Sequence, residues 1–498
     1  MLLNTLKVFS DLADGWECSF TPRPDQVEAL EQILSQQRSA DYSEVGTGKS
    51  LVSYLYILRQ LSQARQVMVV MPPALIPQYM RNFGCITYLG NPLRITRLHE
   101  DRKQRELDMD YWDKEGWPDC LIMSYQLYIK YAPTWRRLSQ YRVLVADEAH
   151  NVSRHTTKGF QQMFQHVMSK DLDLLLMTAT PCTTELETAY GQIRLRFPKA
   201  YASVREFEHR HCVYAQQELP GGKMVPQIVG YKDIEGINQH LMNGAVRRRA
   251  KDVLDLQSLT IIDHLVQLHP LHAELYRRLL EEWMLELGDE VLVARNKQAL
   301  RQWALQLITN PAAFQEVDTP QAPDEPLSNL MAIIDSIDLK QTKLIIFCNF
   351  KATVRKLEGA LSQWNPALIY GDSNVPKEIE KLLGDDSCRI GILNFQSGGA
   401  GFNLQDVAHH IVVYEALGSP GLLQQAIGRC YRGGQEHPVI VWIFRYHKTM
   451  STLLFNKNFG RARDIQQSLS DQECFVDFIT DNVKDNSIQG LRNELGLT

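Results

Sequence analysis

Eight residues, Ser43-Glu44-Val45-Gly46-Thr47-Gly48-Lys49-Ser50, leave this chain few folds to choose from. The stretch after them, LVSYLYILRQL over 51–61, has apolar positions at helical spacing, which places the loop at a helix N-terminus. Backbone N–H groups there have no partner inside the helix, and the helix dipole favours an anion. Gly46 and Gly48 remove the Cβ that would keep a phosphate away from the backbone. The pattern therefore predicts a phosphate cradle from Glu44, Val45, Gly46, Thr47 and Gly48. Lys49 would reach the β- and γ-phosphates, and the Ser50 hydroxyl would take a magnesium position. The usual pattern opens with Gly, where this chain has Ser43.

A second motif completes the chemistry. Residues 141–146, YRVLVA, form a short apolar run rich in β-branched side chains, the pattern of a buried strand in a parallel sheet. Asp147-Glu148-Ala149-His150 follows at the strand's C-terminal end, where open α/β sheets place their ligands. Asp147 is expected to hold magnesium through water, and Glu148 to act as general base for the attacking water. His150 is expected to couple the site to the next motif. A Gly-rich turn that merely precedes Lys-Ser, and a solvated acidic turn after a strand, are the bland alternatives. The two motifs in this order outweigh them and point to hydrolysis of ATP with Mg2+.

Further segments fall into line: Arg23-Pro24-Asp25-Gln26; VMVVMPP over 67–73, followed by Gln78-Tyr79; Leu121-Ile122-Met123-Ser124-Tyr125; and Thr178-Ala179-Thr180-Pro181 after an apolar run. Downstream come Cys348-Asn349-Phe350-Lys351, Gly371-Asp372, Gly398-Gly399-Ala400-Gly401-Phe402-Asn403-Leu404, and the run from Gln425 through Arg429 and Arg432 to Gln435. Between them lie AVRRRAKDVL over 245–254, LVQLHPLHAELYRRL over 265–279 and Leu300-Arg301-Gln302-Trp303 with Asn310-Pro311.

Together these residues resemble the superfamily 2 helicase-type ATPases, and within them the Swi/Snf-like DNA translocases. The resemblance implies two RecA-like lobes in tandem with ATP in the cleft between them. It makes Gln26 the adenine reader and Thr178, Ala179 and Thr180 the motif that couples hydrolysis to lobe movement. It makes Pro73, Ser124, Tyr125, Asn349, Lys351, Gly398 and Gly399 contacts to DNA, and brings Gly401 close to the nucleotide. Gln425, Arg429 and Arg432 join the catalytic set, with the arginines as fingers to the γ-phosphate. Their i, i+3 spacing predicts that both project from one face of a helix. For the Arg247–Lys251 cluster, a phosphate-contacting or lobe-bracing element and a plain surface helix both remain open.

The chain departs from the family pattern in three places. Gly418-Ser419-Pro420 replaces a Trp-Asn-Pro turn, Gln396 replaces a basic residue, and Asn151-Val152-Ser153-Arg154 replaces a basic block. None removes a catalytic group, and they suggest a divergent viral or bacterial branch.

The fold class expected is α/β, with two tandem RecA-like parallel-sheet lobes and helical insertions between them. Lobe 1 is expected over 1–190, insertions and linker over 191–328, lobe 2 over 329–450, and a helical brace over 451–498. The linker expectation rests on QEVDTPQAPDEPLS over 315–328, rich in Pro and acid. With 44% hydrophobic and 22% charged residues among 498, composition is that of a globular protein. No apolar run is long enough for a membrane span, and no signal stretch is seen. The expected location is cytoplasmic for a bacterial or phage chain, otherwise nuclear or at a viral replication site. Nine cysteines without a Cys-x-x-Cys pair argue against zinc knuckles and disulfide frameworks. A net charge of −5 weighs against tight nucleic-acid binding, although two lobes can gather positive charge in one groove.

The reading is an ATP-dependent translocase, on double-stranded DNA ahead of single-stranded, working as a monomer. No reader domain is visible, which leaves room for a targeting protein partner. The rivals are a strand-separating helicase, an RNA-directed ATPase, and a partner-dependent ATPase that remodels a DNA-bound protein.

Overall fold

The computed structural model describes residues 16–18, 21–83, 86–88, 94–131, 136–182, 185–219, 223–282, 284–287, 290–293, 297–311, 323–395, 402–415, 420–456 and 468. The chain divides into two compact units, one of the described residues up to Leu254 together with Ser468, the other of the remaining described residues from Asp255 on. Each is built on its own parallel sheet.

The first sheet has seven strands: β1 (Arg38–Asp41), β2 (Val67–Met71), β3 (Ile95–Arg97), β4 (Cys120–Ser124), β5 (Val143–Asp147), β6 (Asp173–Met177) and β7 (Ala245–Val246). Their order across the sheet is β7-β1-β6-β5-β2-β4-β3, and every pairing is parallel. The β2 sequence VMVVM and the β4 sequence CLIMS are buried at every position. A parallel sheet covered by helices on both faces requires such unbroken burial. Helix α1 (Pro24–Leu34) and helix α2 (Lys49–Ser62) cover one face, with Leu30, Ile33, Leu55 and Ile57 packed against Val67, Val69 and Leu175.

The order of this sheet decides where chemistry can occur. The loop 43–50 follows β1, Thr178–Thr180 follows β6, and the acid pair closes β5, and these three strands are adjacent. Asp41 of β1 pairs with Met177 of β6, and Met177 pairs with Asp147 of β5. The three strands therefore end level, and their three motifs emerge side by side.

The second sheet has six strands: β8 (Leu259–Val266), β9 (Lys343–Cys348), β10 (Ala367–Ile369), β11 (Ile390–Asn394), β12 (Ala408–Val413) and β13 (Val439–Tyr446). Their order is β8-β13-β12-β9-β11-β10, again entirely parallel. The two parallel-sheet units agree with the fold class expected from the sequence.

The region expected to hold helical insertions carries helices (Val204–His211, Ile234–Met242, Pro270–Glu282 and Lys297–Thr309) and strands as well. Among residues 191–328 the structure places an antiparallel hairpin (Cys212–Leu219 with Lys223–Tyr231) and a second one (Met284–Leu287 with Glu290–Val293). It also places an edge strand for each sheet, β7 and β8. Short or half-exposed edge strands carry a weak apolar pattern, and in β8 only Val266 is fully buried. Their partners in the sheet define them. The Pro- and acid-rich stretch ends as a helix start: Asp324 accepts from Leu327 N (3.2 Å) and Pro326 occupies the first turn of Glu325–Asp335. Residues 312–322 of that stretch lie outside the described residues. Of the expected brace over 451–498, only 451–456 and Ser468 are described, and Ser468 O accepts from Asn238 Nδ2 (2.7 Å). No helix among the described residues is long and apolar enough to cross a membrane.

The helix Ala189–Arg196 fixes the turn after β5. Gln192 Nε2 donates to Ala149 O (3.0 Å), and a Cβ on Gly191 would fall 1.8 Å from Ser153 O. Gly191→Ala must push this helix away from the acid-pair turn. The expected outcome is a loss of about 1–3 kcal/mol in urea unfolding, together with reduced ATP turnover; unchanged stability would mean the helix tolerates the shift.

Candidate active site

Gly48 caps α2, and both Gly46 and Gly48 have φ of 86°. That left-handed conformation suits residues without a Cβ. The Gly48 Cβ would also lie 2.2 Å from Gln26 Nε2, so the glycine lets the Gln26 amide rest against the phosphate loop. Gln26 is buried, and its Oε1 accepts from Arg23 N (2.9 Å) at the start of α1. The predicted adenine reader and the predicted phosphate cradle thus share one wall.

Lys49 folds back onto the loop. Its Nζ donates to Ser43 O (2.7 Å) and Glu44 O (2.9 Å). Burial lowers its pKa, while the nearby charges of Asp41, Glu148 and Asp147 oppose the fall. That electrostatic contact ties the loop and the acid pair into one site.

Asp147 feels the same enclosure. Burial first, and then the Glu148 carboxylate, push its carboxyl up to about 7, against the pull of Lys49. Glu148 itself adopts φ 53°, an uncommon conformation for a residue with a side chain. Its N–H donates to Asp147 Oδ1 (3.0 Å). Strain of this kind persists where surrounding contacts hold it, and such positions cluster at functional sites.

The coupling motif closes the ring. Thr178 Oγ1 lies 3.4 Å from Glu148 Oε2 and 3.2 Å from His150 Nδ1, and His150 Nδ1 lies 3.1 Å from Glu148 Oε2. Thr178 Oγ1 also accepts from Thr180 N (3.1 Å), and Thr178 N donates to Asp41 O (3.1 Å). Ala179 lies between them, and its carbonyl is 3.5 Å from Arg247 Nη1. One hydroxyl therefore touches the candidate base, the histidine and the following backbone.

An exposed Ser50 hydroxyl and the Asp147 carboxylate are oxygen donors, the set that a hard cation such as magnesium prefers. Among the described residues no group of three or more His, Cys, Asp or Glu gathers to hold a metal alone. These two residues fit a cation that shares its coordination with nucleotide phosphates and water.

Two residues of this unit expected to contact DNA are buried. Ser124 is fully buried, and its Oγ accepts from Leu127 N (3.2 Å), capping the helix Tyr125–Tyr131. Tyr125 is buried, and its hydroxyl donates to Asp147 O (2.8 Å). The polar end of that strand serves local capping and braces the acid pair. Pro73 is exposed at the end of β2. Three residues that the predicted site omitted, Asp25, Asp41 and Arg248, also lie against the loop. For Arg248 the signal was the charge cluster over 247–251, which charge alone could not separate from a surface helix.

In the second unit, the loop after β9 is held by a carboxylate that no motif marked. Glu415 is fully buried just beyond β12. It accepts from Asn349 N (2.6 Å), Phe350 N (3.0 Å), Thr353 Oγ1 (2.7 Å) and the Thr309 hydroxyl. Burial raises its pKa, and these donors oppose the rise. Asn349 is half-buried, while Lys351 is exposed and engages Asp372, as does Arg355 (3.3 Å).

The helix expected to carry both arginines stops early. It spans Pro420–Ile427, and Gly428 begins a run of turns, so Arg429 and Arg432 do not share a helical face. They converge by another route: Arg429 Nη1 lies 3.4 Å from Phe402 O, and Arg432 engages Asn403 Oδ1. Burial lowers the Arg432 pKa. Gln425 is half-buried on the helix, whereas Gln435 is buried and donates to Gln405 O and Ala408 O (both 3.0 Å). Gly398, Gly399 and Gly401, with Gln396, Gly418 and Ser419, lie outside the described residues.

Comparison with known proteins gives consistent family matches. A DEAD/DEAH box helicase model matches residues 23–189, and a helicase conserved C-terminal domain model matches 326–434, together more than half of the chain. An uncharacterized ATP-dependent helicase, YqhH of Bacillus subtilis, is 22% identical over 85% of this chain and 75% of its own length. The RNA polymerase-associated protein RapA of Pseudomonas fluorescens is 25% identical over 82% of this chain, which spans 45% of that relative. The mouse DNA annealing helicase and endonuclease ZRANB3 is 22% identical over 63% of this chain and 29% of its own length. Among solved structures, a Sulfolobus solfataricus SWI2/SNF2 ATPase core in complex with dsDNA covers 97% of this chain, and 99% of that chain is covered, at 18% identity and a TM-score of 0.39.

Removing the Glu415 carboxylate would strand two backbone donors and two threonine hydroxyls in a buried place. Glu415→Ala is therefore expected to cost about 3 kcal/mol or more in urea unfolding. A loss below about 1 kcal/mol would mean that the loop after β9 holds itself.

Proposed function

We propose that this chain, which belongs to the DEAD/DEAH box helicase family and whose motifs resemble the Swi/Snf-like branch of superfamily 2, is a motor that couples ATP hydrolysis to movement along double-stranded DNA. One observation carries the chemical part: β1, β6 and β5 end level, so that phosphate loop, coupling motif and acid pair face one site. We assign one motor lobe, with its insertions, to each of the two compact units.

The roles follow from what each group can do. The N–H groups of Gly46, Thr47 and Gly48 and the Lys49 ammonium bind phosphate oxygens. Lys49 exchanges its two loop carbonyls for those oxygens, and burial, which lowers its pKa, makes an anionic partner the more favourable. Gln26 lines the loop on the base side. Glu148 orients the attacking water and takes its proton, held by His150 and Thr178. Ser50 and Asp147 would hold a magnesium ion, which would supply neutralising charge to the phosphates. The motif they belong to suggests Arg429 and Arg432 as the source of further positive charge for the transition state. Because Thr178 hydrogen-bonds to Glu148 and to the Asp41 carbonyl of the loop's own strand, loss of the γ-phosphate is felt along 178–180. That is a route from hydrolysis to movement.

The DNA part rests on the resemblance of the motifs, on exposed Pro73 and Lys351, and on a relative described as a DNA annealing helicase. A second reading is favoured by the RapA relatives, which are described as RNA polymerase-associated and match across more than four fifths of this chain. In that reading the motor remodels a DNA-bound protein and needs that partner for full activity.

ATP hydrolysis measured with no nucleic acid, single-stranded DNA, duplex DNA and RNA separates these readings. Stimulation by duplex is the expected outcome. Stimulation by single strands or forks alone replaces it with a strand-separating helicase, stimulation by RNA alone with an RNA-directed ATPase, and none at all with the partner-dependent reading. Glu148→Gln is expected to keep nucleotide affinity and abolish turnover; normal hydrolysis would remove Glu148 as the base. Arg432→Ala is expected to reduce turnover by about 10³-fold or more, and a near-normal rate would leave it outside the chemistry.

A further inference from the structure

Arg248 is a buried guanidinium with an unusual set of partners. Its Nη2 donates to Asp41 Oδ2 and its Nη1 to Asp25 Oδ2, both at 3.1 Å. Its Nε and its backbone N–H both donate to Ser43 Oγ at 3.1 Å. Its carbonyl accepts from Glu44 N (2.9 Å), and its Nη1 lies 3.4 Å from Thr47 O. One residue therefore grips the phosphate loop at its first, second and fifth positions. Ser43, the residue that departs from the usual opening glycine, supplies the acceptor.

We propose that Arg248 is a positioning residue for the nucleotide, paired with Ser43, that sets both the shape and the charge of the phosphate loop. The shape argument is covalent. A trans peptide points its C=O and N–H in opposite directions. Thr47 O is drawn toward Arg248 and toward Arg23 Nη2 (2.7 Å), so the Gly48 N–H faces the other way, toward the anion. The charge argument is electrostatic. Asp25 and Asp41 place two carboxylates behind the loop, and uncompensated they would repel phosphates. The Arg248 fork neutralises Asp41, shares Asp25 with the Arg23 guanidinium (2.9 and 3.1 Å), and leaves the Lys49 charge to the ligand. Lysine at this position keeps the charge but loses the fork that reaches both acids and Ser43 together.

This inference rests on the ATP-site reading, and the test keeps the two apart. Ser43→Ala, Arg248→Lys and Lys49→Ala are made in the full chain, and binding of a fluorescent ADP is measured beside the unfolding temperature. Ser43→Ala and Arg248→Lys are expected to weaken ADP binding about tenfold, the loss typical of one charge-assisted hydrogen bond. They are also expected to shrink the rise in unfolding temperature that nucleotide produces. Ser43→Ala leaves every ion pair intact and stays informative if Arg248→Lys folds poorly. A merely structural role would lower the unfolding temperature and the folded fraction while the folded protein kept its ADP affinity, and that result overturns the proposal. If Lys49→Ala also kept full affinity, the ATP-site reading itself would fall, and the role of Arg248 with it.

Discussion

A parallel ladder leaves little freedom about where neighbouring strands end, and that constraint organises this molecule. Asp41, Met177 and Asp147 stand in register across β1, β6 and β5. Hydrogen bonding of the strands thus delivers a phosphate loop, a threonine and two carboxylates to one edge, although more than a hundred residues separate Asp41 from Asp147 in the chain. Unbroken burial of the central strands makes the register hard to slip.

Enclosure follows from the same architecture and gives the side chains their chemical character. Lys49 is pressed toward its neutral form and the Asp147 carboxyl is raised, because both leave bulk water when the strand ends are covered. Polar groups placed there need partners. Thr178 meets Glu148, Tyr125 meets the Asp147 carbonyl, and Arg248 meets two aspartates. The second unit solves the same problem with Glu415, which collects donors from Thr309, Thr353 and the loop after β9. These clusters hold flexible loops in defined shapes at a site whose ligand is charged.

Much of the site was legible from local pattern. The loop 43–50 announces a helix N-terminus and the run before Asp147 announces a buried strand, because the helical and strand periods are written in consecutive residues. The bonds of Ser124 and Tyr125 were not legible, because their types suit either solvent or a buried hydrogen bond, and only their neighbours decide. The arginine pair shows the limit of spacing: i, i+3 predicts a shared face only while the helix continues, and here it stops at Ile427. Edge strands β7 and β8 were hidden because they are defined by their partners rather than by their own residues.

By itself the sequence determined a two-lobed α/β chain with an ATP-hydrolysing motif set, since glycine, lysine and acid placement are local properties of consecutive residues. Only the tertiary structure decided which polar groups meet across long separations. It joined Arg248 to Ser43 and Glu415 to Asn349, and it turned Tyr125 inward onto the acid pair. Such meetings depend on strand order and on which side chains lose their water together, and neither is written in any short stretch of chain.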